Sequence, residues 1–157
     1  MKNQYLITAV LATLPMILGQ ANAGEKELSK NQVPKAVIDA FEKDYPNAKA
    51  SEFEQETFEG KTAYEVEYKE NGKEVALLYG DDGTLLQKEE EIDGKSLPKP
   101  VAQAVKKAHP KAEIKEVEKL MKPDGTLTGY EVEIKTAGKK TELELDTNGK
   151  ILKTEKE

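Results

Sequence analysis

No cysteine and no arginine occur in the 157 residues, and His109 is the only histidine. Without thiols there can be no disulfide, thiolate metal site or cysteine nucleophile. Burial must therefore carry the stability, even in a compartment that would permit disulfides. Lysine is left as the only strong cation, a flexible point charge without the planar fork that grips phosphate and carboxylate. The 24 lysines face 30 acidic residues, for a formal charge of −6. That balance excludes nucleic acid as a partner, because affinity there rests on neutralising phosphates. One imidazole cannot build a paired-histidine or three-histidine zinc site. His109 precedes Pro110 at the end of a helical pattern, which makes packing its expected role.

Long apolar runs are also missing, except at the start. Lys2, the apolar stretch from Leu6 to Leu18 and the small-residue site Ala21-Asn22-Ala23 read as a cleaved signal peptide over residues 1–23. The stretch is short of the roughly 20 residues that a membrane span needs. An exported periplasmic chain beginning at Gly24 is expected, with no membrane insertion after cleavage. No cysteine follows the stretch to take a lipid. Residues 24–30 are polar and are expected to be a flexible lead-in.

What the chain does contain, it contains twice. Val33-Pro34-Lys35-Ala36-Val37 and Tyr45-Pro46-Asn47-Ala48 return as Leu97-Pro98-Lys99-Pro100-Val101 and His109-Pro110-Lys111-Ala112. Tyr64-Glu65-Val66-Glu67-Tyr68-Lys69 returns as Tyr130-Glu131-Val132-Glu133-Ile134-Lys135. Asp82-Gly83-Thr84-Leu85-Leu86 returns as Asn148-Gly149-Lys150-Ile151-Leu152. The offset grows from 64 to 66, so two residues are inserted near Pro123-Asp124-Gly125. A period this long exceeds the roughly 20–50 residues of a solenoid unit and fits a duplicated small domain. The expected repeats are 31–93 and 94–157. Each alone is near the size where one core is marginal.

Within each repeat the apolar period changes. Val33, Val37, Ala40, Phe41 and Tyr45, and then Leu97, Val101, Ala104, Val105 and Ala108, recur at helical spacing. Pro46 and Pro110 stop these helices, and Ser96 reads as an N-cap for the second. Alternation at period two follows over 51–58, 63–69, 73–79 and 84–92, then over 113–121, 128–136, 139–146 and 150–154. Asn71-Gly72 is a two-residue hairpin signal. The expected fold class is α+β: two tandem repeats, each one helix followed by a four-stranded antiparallel meander sheet.

A helix opened by Val/Leu-Pro and closed by Tyr-Pro-x-Ala, a Tyr-Glu-Val-Glu strand and an Asp-Gly-Thr-Leu-Leu hairpin together resemble the bacterial PepSY-like secreted proteins. Those are grouped by fold with the β-lactamase inhibitory protein, and the match runs from about residue 31 to the end. The resemblance implies a non-catalytic envelope protein whose sheet presents a surface to another protein, inhibition of a hydrolase or peptidase being the suggestive case. The absent cysteines separate this chain from the β-lactamase inhibitory protein, so that protein's target is not carried over.

Residues for chemistry are few. Ser29, Ser51 and Ser96 stand in no nucleophile motif, so no catalytic residue and no cofactor is assigned. One stretch approaches a calcium loop: Glu144, Asp146 and Asn148 before Gly149, with Glu155 beyond. It is preceded by strand alternation where that loop needs a helix, and a plain hairpin turn is the competing reading. If Tyr64, Val66, Tyr68, Val75, Leu77 and Tyr79 face the helix, the opposite face carries Glu65, Glu67 and Glu74. The second repeat adds Glu131, Glu133, Glu142 and Glu144, with Glu52, Glu54, Glu56, Leu78 and Phe58 extending the field. These carboxylates are expected to be solvated. Together they form a surface for a basic partner, another envelope protein met by a monomer of this chain.

Overall fold

The computed structural model describes residues 26–156. The expected signal peptide lies outside the described residues. In chain order the elements are β1 (Lys26–Glu27), α1 (Lys35–Asp44), β2 (Ala50–Phe58), β3 (Lys61–Glu70), β4 (Lys73–Gly80) and β5 (Leu85–Glu91). They continue with α2 (Lys99–Ala108), β6 (Glu113–Met121), β7 (Leu127–Thr136), β8 (Lys139–Asp146) and β9 (Ile151–Lys156). The nine strands form one curled antiparallel sheet whose spatial order is the chain order. The fold is α+β. Two sheets were expected, without a reading of whether they join; β5 pairs with β6, and they are one.

The lead-in differs from expectation. Lys26 and Glu27 pair with Gln55 and Glu54, the Leu28 N–H donates to the Phe53 carbonyl at 2.7 Å, and Leu28 is buried in the core. One apolar side chain in a polar stretch is enough to anchor it. Ser96 is not the cap of α2, whose flanking residue is Pro98. Ser96 closes a one-turn 3-10 segment that Asp93 caps instead, its Oδ1 accepting from the Lys95 N–H at 2.9 Å.

Both helices lie on the same face of the sheet. Val37 and Phe41 of α1 pack on Val66, Tyr68, Val75, Leu77 and Tyr79; Val101 and Val105 of α2 pack on Val117, Val132, Ile134, Leu143 and Leu145. The register puts these sets on one side: Tyr68 lies opposite Val75, Val75 opposite Glu90, Glu90 opposite Lys119, Lys119 opposite Tyr130, and Tyr130 opposite Leu145. Burying a Val or Leu fully contributes roughly 1.5–3 kcal/mol each, so each core stabilises its own helix. Tyr45 and His109 end the helices alike, each N–H donating at 2.8 Å, to the Phe41 and Val105 carbonyls. Both side chains are half-buried, which agrees with a packing role for His109.

Turn chemistry sets the register. Glu59-Gly60, Asn71-Gly72 and Ala137-Gly138 each have two positive φ angles, the mirror-image turn that matches strand twist in a two-residue hairpin. The inserted residues fall in the longer turn between β6 and β7, where Lys122 N–H meets the Thr126 carbonyl at 2.9 Å.

Candidate functional site

The face away from the helices is not an open sheet surface. Ala63, Ala76, Leu78 and Leu120 point to that side, belong to neither helix-packed core, and are at most 4% exposed. One cavity of about 110 Å³ is lined by Glu54 and Glu56 of β2, Glu65 and Glu67 of β3, Ala76 of β4, Glu89 of β5, Glu118 of β6 and Glu131 of β7. Side chains from six consecutive strands reach a common space only if the sheet curls toward them. The carboxylates therefore occupy a concave face.

Alternation fixes which residues arrive there. Glu65 lies opposite Glu54 on β2 and Leu78 on β4, and Glu67 opposite Glu52 and Ala76. Glu89 lies opposite Ala76 and Leu120. A further row runs Glu91, Glu118, Glu131, Glu144 and Lys153 across β5 to β9. Carboxylate oxygens of Glu89, Glu118 and Glu131 come within 4.8 Å of one another, as do those of Glu74, Glu91 and Glu116. At that spacing two ionised carboxylates repel by roughly 3 kcal/mol at an effective dielectric near 20. A proton is the simplest relief.

The titration of the cluster follows from this crowding. Burial pushes Glu65 well above the usual carboxylate range, and Glu89, Glu56, Glu67 and Glu118 push the same way. Glu89 is only 6% exposed; burial and then the Glu118 charge raise it, while the Gln87 amide, donating to its Oε1 at 2.9 Å, draws it down. Glu118 is pushed up to about 8 by burial and by Glu131. Glu67 is pushed up to about 8 by burial and by its hydrogen bond to Glu74. The expectation of ordinary, solvated carboxylates fails at Glu65 and Glu67 because curvature removes water from their side of the sheet.

The expected surface residues divide by position. Glu65, Glu67 and Glu131 line the cavity, while Glu74 joins Glu91, whose carboxylate accepts from the Glu74 N–H at 3.1 Å. Glu133 lies further along and pairs with Lys140 at 2.5 Å. Glu142 lies opposite Glu133 and Glu155, and Glu144 opposite Glu131 and Lys153. Glu144 and Lys153 belong to a wider opening of about 570 Å³ that also takes in Glu56, Gln87, Leu120 and Lys122. Glu89, Glu91, Glu116 and Glu118 were missed. The signal for Glu89 and Glu91 was alternation through the Lys88-Glu89-Glu90-Glu91 run, and for Glu116 and Glu118 alternation about Val117; both read as solvated charge until β5 and β6 are placed side by side.

The calcium-like stretch does not wrap into a loop. Glu144 lies on β8 and Glu155 on β9, where Glu155 pairs with Lys153 at 2.9 Å. The Asp146 Oδ1 accepts from the Asn148 and Lys150 N–H groups, both at 2.9 Å. Its carboxylate serves the hairpin turn, the competing reading of this stretch.

A family model described as "Putative beta-lactamase-inhibitor-like, PepSY-like" matches twice, at residues 20–87 and 86–153. The chain belongs to this PepSY-like family. A BLIP-like protein from Bacteroides fragilis shares 25% identity with it, covering 77% of this chain and 84% of that one, with a TM-score of 0.50. A protein from Bacteroides eggerthii described as "putative periplasmic" is 16% identical over 79% and 88%, with a TM-score of 0.57. A DUF2874 family protein from Bacteroides uniformis is 17% identical over 78% and 88%, with a TM-score of 0.55. The last two show the PepSY-like fold alone. No curated protein matches the chain. Among the described residues no helix is long and apolar enough to cross a membrane.

Proposed function

We propose that this PepSY-like chain is a non-enzymatic periplasmic binding module that takes a basic segment of another envelope protein against its concave acidic face. In this reading residues 1–23 are removed after Ala23, repeats 31–93 and 94–157 each supply one helix and four strands, and the monomer acts by occlusion. The observation that carries it is the gathering of Glu65, Glu67 and Glu131 with Glu89 and Glu118 around one recess, beside a wider opening lined by Glu144. Glu74, Glu133 and Glu142 extend the same face, so a partner meets a predominantly acidic field in which Lys140 and Lys153 are interspersed. Restraint of a partner enzyme is the use that the family description suggests.

Affinity chromatography tests this. One column carries the chain and a second carries Glu65, Glu67, Glu131 and Glu133 changed to glutamine; both receive native periplasmic extract. A protein held by the first, released by moderate salt and lost from the second is the expected result. A first column that retains nothing at low salt overturns the reading.

A further inference from the structure

The core under α1 and the core under α2 share no residue. The β5–β6 ladder joins them, pairing Lys88–Glu91 with Glu118–Met121, half the length of the β3–β4 or β7–β8 ladder. Every β5 position in it is charged. On the helix face Lys88 and Glu90 form an ion pair at 2.7 Å, and Lys119 lies opposite Glu90. On the concave face carboxylate oxygens of Glu89 and Glu118 lie within 4.8 Å of each other and of one from Glu131, and Glu89 is almost fully buried. Carboxylates this close and this buried repel strongly when both are ionised, and a proton kept by the pair relieves that repulsion.

We infer that this seam is a proton-held latch: with one proton shared by Glu89 and Glu118 the two halves stay zipped along β5–β6, and losing it loosens them there. The surroundings favour keeping the proton. Glu54 and Glu56 face the pair from β2, and Glu65 and Glu67 from β3. Glu91 and Glu116 flank it on its own strands, and Glu131 and Glu133 follow on β7. Glu144 stands beyond, with the cations Lys153 and Lys122 at the opening. The latch goes beyond partner binding and does not depend on it.

The sign follows from the raised pKa values. The native chain holds protons that the unfolded chain releases, so the contribution of these groups is full below the ordinary carboxylate pKa and declines as pH rises above it. That contribution falls as pH rises toward about 8, where Glu118 titrates.

Hydrogen exchange of the full chain at pH 5, 6.5 and 8, corrected for the intrinsic rate of amide exchange, tests the latch. Protection of β5 and β6 is expected to fall by about tenfold or more between pH 5 and 8, the factor that one pKa unit supplies. The β3–β4 and β7–β8 hairpins should keep theirs. Glu118→Gln and Glu89→Gln, which hold a neutral group of the same shape, should retain seam protection at pH 8, and the exposed Glu70→Gln should behave as wild type. A loss shared equally by all strands, no loss at all, or a Glu118→Gln profile that tracks wild type would each overturn it. Should Glu89→Gln fail to fold, the wild-type and Glu118→Gln profiles decide the matter.

Discussion

Gly83, in the turn after β4, presses its backbone against the carbonyl of Ala36 in the first turn of α1; a Cβ there would lie 2.5 Å from that oxygen. Gly149 meets the Pro100 carbonyl of α2 in the same way, at 2.6 Å. Both glycines have positive φ, +82° and +86°. Gly83→Ala and Gly149→Ala should each cost at least about 2 kcal/mol, from backbone strain plus displacement of a helix. Gly138→Ala, with φ +87° and open space around it, should cost less. Denaturant midpoints for the three variants rank the two effects.

Leu78 tests the concave face as a packed layer. Its alternation places it opposite Glu65 and away from the helices, yet it is fully buried, as is Leu77 on the helix face. Leu78→Ala should cost about 2–5 kcal/mol, in the same range as Leu77→Ala. Urea unfolding of both variants measures this. A cost below about 0.5 kcal/mol, usual for an exposed position, would show that the face is open.

Glu67, on β3 in the same recess, supplies a further pH prediction. Its carboxyl is pushed up to about 8 by burial and by Glu74, so its native state holds a proton that the unfolded state has lost. Glu67→Gln should leave the melting temperature near wild type at pH 4 and raise it at pH 8. A rise of the same size at both pH values would mean that ionisation of Glu67 plays no part.

Ala137 adopts a φ of 51° in the turn between β7 and β8, where its counterpart in the first half is Asn71. Asparagine tolerates this conformation better than alanine. Ala137→Asn should raise the melting temperature by a few degrees, about what 0.5–1 kcal/mol supplies in a domain of this size. Thermal unfolding followed by circular dichroism reads it.

Asp146 spends its carboxylate on the Asn148 and Lys150 N–H groups. Asp146→Ala should destabilise by about 1 kcal/mol through the lost turn bonds. Addition of millimolar calcium should shift the melting temperatures of wild type and variant equally. A shift confined to wild type would assign the 144–155 stretch to calcium after all.

The helices and eight of the strands are legible in the sequence because their signals are local. Val37 and Phe41 keep helical spacing, Pro46 and Pro110 stop the helices, and Asn71-Gly72 forces a hairpin. β1 is not legible, since two paired residues and one buried leucine leave no period to detect. The acidic face is legible as a direction, because alternation alone sends Glu65 and Glu67 away from Val66. Its concavity is not. Ala76 and Leu78, apolar on the side assigned to solvent, were the clue. The approach of Glu89 to Glu118 depends on β5 meeting β6 across an intervening helix, a relation between distant segments that no local pattern encodes.

A sheet whose strands follow chain order also has a kinetic meaning. Six of its eight ladders follow a simple rule: joined by short turns, they close small loops, and small loops close quickly. The exceptions are the β1–β2 and β5–β6 ladders, each of which must first bring its strands together around a helix. The chain should therefore assemble as two rapid meanders, with the charged β5–β6 junction forming last and opening first.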